Sequence, residues 1–222
     1  MKLIIIGAVA AGTSAAARAR RNNEAAQITV YERDSEISYS GCGLPYWIGG
    51  EVEDRESLVP RNAAFFKSKY NVDIHTRHAV LAIDPKRKSV RVKRLETGDD
   101  FDDAYDALII ATGATSAVPA IPGADGPGVF VLRNPASADA IRGFVIEHAP
   151  ARAIIIGTGF IGLELAENLA ARGVHVTMLE SAPRAMPSLD PDMSRYLEAH
   201  LRKQGVELLL NAAITAIAGT PG

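Results

Sequence analysis

The chain has 222 residues, enough for one large domain or two modest ones, and its 47% hydrophobic and 23% charged composition is that of a globular protein. Lys and Arg number 24 against 26 Asp and Glu, so a net charge of −2 offers no basic field for nucleic acid or an anionic membrane. One cysteine, Cys42, excludes an internal disulfide framework and fits a reducing, cytoplasmic setting.

Met1-Lys2, the apolar run from Leu3 and the small residues Thr13 to Ala17 have the outline of a secretory signal. That outline recurs at Ala153-Ile154-Ile155-Ile156-Gly157, where no signal peptidase could act, so the repeat favours structure over targeting. No apolar run reaches the ~18 residues of a membrane span. In chain order, the first copy reads as a strand from Leu3, a glycine turn, an Ala-rich helix over 11–22 and a strand ending Val30-Tyr31-Glu32. Asn62 is placed to cap a helix carrying Phe65, Phe66 and Tyr70. Segments 72–74, 79–83 and 89–95, broken by Asp84-Pro85 and Thr97-Gly98, predict an antiparallel β insertion. A buried-type strand at 106–111 leads into Thr112-Gly113, and the Pro/Gly-rich stretch from Pro119 to Pro127 reads as a linker. The second copy has its strand at 153–156, a helix over 161–172 stopped by Gly173, and a strand ending Met178-Leu179-Glu180. A helix at 192–204 and strands at 206–210 and 213–217 follow.

Gly157-Thr158-Gly159-Phe160-Ile161-Gly162 fits G-x-G-x-x-G between a strand and a helix, with Glu180 at the expected spacing of about 20 residues. Such a turn needs glycine for tightness, for close approach of a pyrophosphate and for helix packing on the strand. The freed N–H groups and the helix dipole then attract phosphate. Gly7-Ala8-Val9-Ala10-Ala11-Gly12 keeps the outer glycines but has Val9 at the middle one, so alone it is either a cofactor turn or an ordinary strand–helix turn. Glu32 is placed to accept both ribose hydroxyls of an adenosine, the other reading being a surface glutamate at a strand end. The expected fold is α/β, with two Rossmann-like units on parallel sheets and an antiparallel β insertion. The first unit spans 1–118 with the insertion at 72–104, a linker and helix occupy 119–150, and the second unit spans 151–222.

Cys42 lies in Ser38-Tyr39-Ser40-Gly41-Cys42-Gly43-Leu44-Pro45-Tyr46. Gly43 and Pro45 suit a helix start, where the dipole and free N–H groups would stabilise a thiolate; the alternative is a small buried cysteine packed as a hydrophobe. His75, His78, His148, His175 and His200 do not group with other ligands at metal-binding spacing, so no metal is expected. Trp47, Phe65 and Phe66 read as packing residues.

The paired units, the strand and turn at 106–113 and above all Ser38 to Tyr46 make the chain resemble the pyridine nucleotide-disulfide oxidoreductases, flavoproteins with two dinucleotide domains. Within that family the chain is most similar to the coenzyme A disulfide reductases, from Met1 to about Ile217, including Gly162 to Ala166 and Ala185 to Pro191. Most disulfide-reducing relatives carry two cysteines four residues apart. Cys42 alone therefore implies a single catalytic cysteine that cycles through a mixed disulfide with coenzyme A.

The resemblance implies FAD on Gly7, Ala8, Val9, Ala10, Ala11, Gly12, Glu32, Arg33, Val80, Ala111, Thr112 and Gly113, with Cys42 as a further cofactor contact. It implies NADH, or NADPH, on Gly157, Thr158, Gly159, Phe160, Ile161, Gly162 and Glu180, with Glu164 near the flavin and nicotinamide, its other reading being a helix-face charge. Glu180 favours NADH because it would repel a 2′-phosphate, whereas Arg184 nearby could accommodate one. Ser14, Arg18, Arg21 and Ser38 match coenzyme A contacts; the arginines suit its phosphates, their other reading being a solvated helix end. The histidine that supports the oxidised cysteine in oxidase and peroxidase relatives is Ala10 here, and the asparagine usual before the cysteine is Gly41. The implied partner is a small-molecule disulfide, probed first as coenzyme A disulfide. An NADH oxidase or peroxidase, a polysulfide reductase and a non-catalytic dinucleotide-binding module are the rival functions. The family's later Gly-Asp segment and its C-terminal homodimer domain have no counterpart in the sequence, so the second sheet is expected to be incomplete and the chain alone not to turn over.

Overall fold

A computed structural model of the chain describes residues 1–218. In chain order its elements are β1 (Lys2–Ile6), α1 (Ala11–Asn22), β2 (Gln27–Tyr31), α2 (Leu44–Gly49), α3 (Ala63–Tyr70), β3 (Asp73–His75), β4 (His78–Asp84), β5 (Ser89–Arg94), β6 (Asp100–Ala104) and β7 (Ala107–Ile110). They continue with α4 (Pro135–His148), β8 (Arg152–Ile156), α5 (Phe160–Ala171), β9 (His175–Leu179), α6 (Pro191–Lys203) and β10 (Glu207–Leu209). The elements fall into two compact units: Met1–Ser40 with Glu56–Thr115, and Gly41–Arg55 with the chain from Ser116 onward. Among the described residues no helix is long and apolar enough to cross a membrane.

The first unit holds a four-stranded parallel sheet in the order β3-β2-β1-β7. β1 is apolar at successive positions because both of its faces are covered. Leu3 and Ile5 pack with Ala16 of α1, Ile28 and Val30 of β2, and Phe66 of α3. Ile4 and Ile6 face the other way, onto Tyr31, Val90 and Val92. The alanines of α1 let that helix lie close to the sheet, with Ala16 fully buried. Asn62 caps α3 as its sequence position predicts, accepting from the Phe65 amide at 2.9 Å.

By its sequence, segment 72–74 belongs to the antiparallel insertion, but β3 pairs in parallel with β2. A strand reached through a helix, here β2 to α3 to β3, returns in the same direction as the one it left. The antiparallel sheet is β4-β5-β6, and its third strand was not anticipated from so acidic a segment as Asp100-Phe101-Asp102-Asp103. Alternation resolves the conflict: Asp100 and Asp102 are exposed, while Phe101 points inward. Asp103 also points inward, accepts from the Tyr31 hydroxyl at 2.8 Å and pairs with Lys2, which ties the antiparallel sheet to the parallel one.

The second unit holds a three-stranded parallel sheet in the order β10-β9-β8, with Val176 and Met178 of β9 buried. α4 opens with a capping box in which Asn134 accepts from the Ser137 amide and the Ser137 hydroxyl accepts from the Asn134 amide, each at 3.0 Å. α5 and α6 lie within a residue or two of their predicted bounds, and Gly173 ends α5 at φ +81°. The strand expected at 213–217 does not form. That segment is irregular and donates from the Ile217 amide to the Pro122 carbonyl at 2.8 Å, so it runs against the Pro/Gly-rich stretch and adds no strand to the sheet.

Both copies of the strand–turn–helix repeat bend at their first glycine, Gly7 at φ +100° and Gly157 at φ +98°, which is left-handed backbone that favours glycine. Both also bring the last glycine onto the carbonyl of the first. A Cβ at Gly12 would stand 1.8 Å from the Gly7 oxygen, and one at Gly162 would stand 2.4 Å from the Gly157 oxygen. A Cβ at Gly159 would meet nothing within 4 Å. Gly12→Ala should therefore cost ~1–3 kcal/mol in urea unfolding because backbone must move, whereas Gly159→Ala should stay within ~1 kcal/mol of wild type. Equal destabilisation by the two would contradict this account of the turn.

Candidate functional site

Each parallel sheet ends on a glutamate that turns back onto the glycine turn beside it. In the first unit Glu32 is only 8% exposed, so it is not a surface residue. Its Oε2 accepts from the Ala8 amide at 2.7 Å and its Oε1 from the Asp34 amide at 3.0 Å. In the second unit Glu180 repeats the arrangement, with Oε2 accepting from the Thr158 amide at 3.1 Å and Oε1 from the Ala182 amide at 3.0 Å. Two hydroxyls are added there: Thr158 donates to Oε2 at 2.7 Å and Ser181 to Oε1 at 3.3 Å. Partial burial would raise the Glu180 carboxyl, but the bonds from Ala182, Thr158 and Ser181 outweigh it and hold the group below its ordinary value.

An ionised carboxylate offers about four lone-pair positions. Glu32 thus retains room for two further donors, whereas Glu180 is nearly saturated and would exchange the long Ser181 bond for an incoming hydroxyl. The residues fit a dinucleotide in this respect: turn amides lie beside an acceptor suited to ribose, and the space at Gly159 is open where a pyrophosphate would approach the backbone. At the matching place in the first unit stands the half-buried side chain of Val9.

The first unit also brings Gly7 against the turn after β7. A Cβ at Gly7 would stand 2.2 Å from the Ala111 oxygen, so the Ala111-Thr112-Gly113 turn lies directly beside the first glycine turn. Val80 and Thr112, both singled out from the sequence, line one groove of about 260 Å³ together with Ile6, Leu81, Ile83 and Ile110. Arg33 is exposed next to Glu32. Ser14, Arg18 and Arg21 are exposed at i, i+4 and i+7 on one face of α1. Arg20 of the same helix is engaged otherwise, donating to the Tyr70 and Asn71 carbonyls at 2.8 Å. Ser38 takes left-handed backbone at φ +51° and donates from its amide to the Ala8 carbonyl at 2.9 Å.

Cys42 is exposed, which removes the reading of a buried hydrophobe. It sits in a 3-10 turn, Gly41–Gly43, ahead of α2 and not in the first turn of that helix. Gly43 and Pro45 do open α2 as predicted. The Cys42 turn and α2 belong to the second unit, where α2 packs on α4 and α5. Trp47, expected only to pack, donates from its indole N–H to Asp139 Oδ1 at 2.8 Å. Arg55 grips Asp139 Oδ2 from Nε at 3.0 Å and Nη2 at 2.9 Å, and the Arg142 guanidinium lies 3.9 Å from the Trp47 ring centroid and bonds the Trp47 carbonyl. These partners are 84 to 95 residues apart in sequence, so no local pattern announces them. On the α5 side a Cβ at Gly49 would fall 2.0 Å from Asn168 Oδ1, a contact that only glycine permits. Glu164 lies one turn before Asn168 on α5, and its carbonyl accepts from Asn168 Nδ2 at 2.8 Å.

The model of the family described as pyridine nucleotide-disulphide oxidoreductase matches residues 1–222. The chain belongs to that family. It is 35% identical over 216 residues to coenzyme A disulfide reductase of Staphylococcus haemolyticus, covering 97% of this chain and 48% of that protein. Reduced CoADR-RHD of Bacillus anthracis superposes with a TM-score of 0.94 at 38% identity, over 97% of this chain and 39% of that one. Water-forming NADH oxidase from Lactobacillus brevis bound to NADH superposes at 0.92 with 34% identity, over 99% and 48% of the two chains. The chain thus spans about half the length of the curated relatives it matches.

Trp47 is the sole tryptophan, so the fixation of α2 can be read optically. Asp139→Ala removes the acceptor of both the indole N–H and Arg55 and should cost ~1–3 kcal/mol in chemical unfolding. Trp47 emission should shift to the red in the folded variant. Unchanged emission and an unchanged midpoint would show that the ring is held by packing alone.

Proposed function

We propose that the chain carries the dinucleotide sites and the redox cysteine of a flavoprotein NAD(P)H:disulfide oxidoreductase, with coenzyme A disulfide as electron acceptor. The observation that supports this most is the duplicated turn gripped by a carboxylate at the end of the following strand, in a family member whose single cysteine is exposed. FAD is assigned to the first unit, on the Gly7 to Gly12 turn, Glu32 and the Ala111 to Gly113 turn, and NADH to the second, on the Gly157 to Gly162 turn and Glu180. FAD, when bound, supplies the two-electron relay between a nicotinamide and sulfur.

The chain's own residues do the rest. Glu32 receives ribose hydroxyls on its two remaining lone-pair positions, and the amides of the glycine turns face the phosphates. The Cys42 thiolate attacks one sulfur of a disulfide; a Cys42–coenzyme A bond forms, the substrate S–S bond breaks, and one coenzyme A leaves as thiolate and takes a proton from water. Two electrons and one proton then return Cys42 to thiolate and release the second coenzyme A as thiol. Arg18 and Arg21, exposed one turn apart on α1, are assigned to coenzyme A phosphates. Ala10 in place of a histidine weighs against the oxidase and peroxidase rivals.

Incubating the purified chain with coenzyme A disulfide and measuring its intact mass without reductant tests the cysteine chemistry without requiring turnover. One coenzyme A adduct per chain is expected in wild type and none in Cys42→Ser, with FAD affinity the same in both. Absence of any adduct in wild type would remove coenzyme A disulfide as the substrate, and an adduct that persists in the serine variant would remove Cys42 as the site.

A further inference from the structure

Thr158 holds the second position of the glycine turn in the second unit and is fully buried. Its amide bonds Glu180, as the Ala8 amide bonds Glu32 in the first unit. Its hydroxyl has no counterpart in the first unit, where the residue at this place is a fully buried alanine. That hydroxyl donates to Glu180 Oε2 at 2.7 Å and accepts from the Met186 amide at 2.9 Å. The repeat acts as an internal control: the turn forms with alanine at this position, so the hydroxyl serves something other than the turn.

What it reaches is the segment after β9. Met186 is held in left-handed backbone at φ +46°, and its amide has the Thr158 hydroxyl as acceptor. The Ala185 amide donates to Glu198 Oε1 at 3.0 Å and the Ala182 amide to Glu180 Oε1 at 3.0 Å. Arg184 lies between these anchors, and its Nη2 donates to the Pro187 carbonyl at 2.9 Å. The hydroxyl therefore joins the acidic group that would accept a ribose 2′-hydroxyl to the loop that carries Arg184, the arginine closest to Glu180 in sequence and able to meet a 2′-phosphate.

We infer that Thr158 is a positioning residue that sets the choice of NADH over NADPH, acting through Glu180 and Met186. The inference rests on the reading of the second unit as a nicotinamide dinucleotide site. On the Glu180 side the hydroxyl fixes the carboxylate rotamer and keeps it ionised beside the ribose. On the Met186 side it holds the loop so that Arg184 stays turned onto Pro187. Loss of the hydroxyl frees both together, weakening the ribose acceptor and releasing the phosphate donor.

The test is a pair of titrations, NADH and NADPH, into the full chain as wild type, Thr158→Ala, Thr158→Ser and Thr158→Ala/Arg184→Ala. Wild type should favour NADH. The alanine variant should bind NADH about tenfold more weakly, the usual effect of losing a hydrogen bond to a charged group, and NADPH no more weakly than wild type, so the preference collapses. Serine should restore it, and removal of Arg184 should abolish any NADPH binding gained. If the alanine variant does not fold, Thr158→Val keeps the buried volume and replaces it. A folded variant that keeps the wild-type ratio, even with both cofactors weakened equally, overturns the role of Thr158 alone. Wild type that binds neither cofactor overturns the dinucleotide reading and the inference with it.

Discussion

A carboxylate at the end of the second strand, accepting an amide from the turn after the first, is the interaction on which both halves of the repeat depend. It joins two segments 24 residues apart in the first unit and 22 apart in the second. It also fixes the turn amides and an acidic acceptor in one place. The two glutamates are not equivalent. Glu32 satisfies two amides and keeps capacity for two further donors, while Glu180 is committed to four donors and can admit another only by exchange. On the assignment proposed above, FAD would use the open positions of the first and NADH would enter at the second by exchange.

The cysteine depends on a different constraint. Its turn is too short and too exposed to hold itself, and α2 supplies the rigidity by packing on α4 and α5. The set of Trp47, Asp139, Arg142 and Arg55 joins charge, indole N–H and π face in one cluster, which orders α2 more specifically than apolar contact would. Side chains of this kind can fix a helix and the turn before it while the turn itself stays exposed.

Much of this arrangement was legible in the sequence because it rests on local rules. Strand–turn–helix periodicity, the outer glycines, the Asn62 cap and the Gly173 stop lie within a few residues of the features they control. What was not legible depends on partners far along the chain. β6 is acidic and forms because Asp103 meets Tyr31 and Lys2, 72 and 101 residues earlier. β3 reads the same in either direction, and only the helix before it decides that it runs parallel. The segment at 213–217 has a strand's composition but lies against Pro122. Trp47 gave no sign of Asp139. The hydroxyl of Thr158 was visible as a residue of the motif, but its second bond, to Met186, needed the fold.

On this reading each glutamate organises its own cofactor site. FAD and NADH affinities measured separately for wild type, Glu32→Ala, Glu180→Ala and the double variant test it most directly. Glu32→Ala should weaken FAD about tenfold and leave NADH unchanged, and Glu180→Ala should do the reverse. Variants that leave both affinities intact, or that each weaken both cofactors equally, would contradict it.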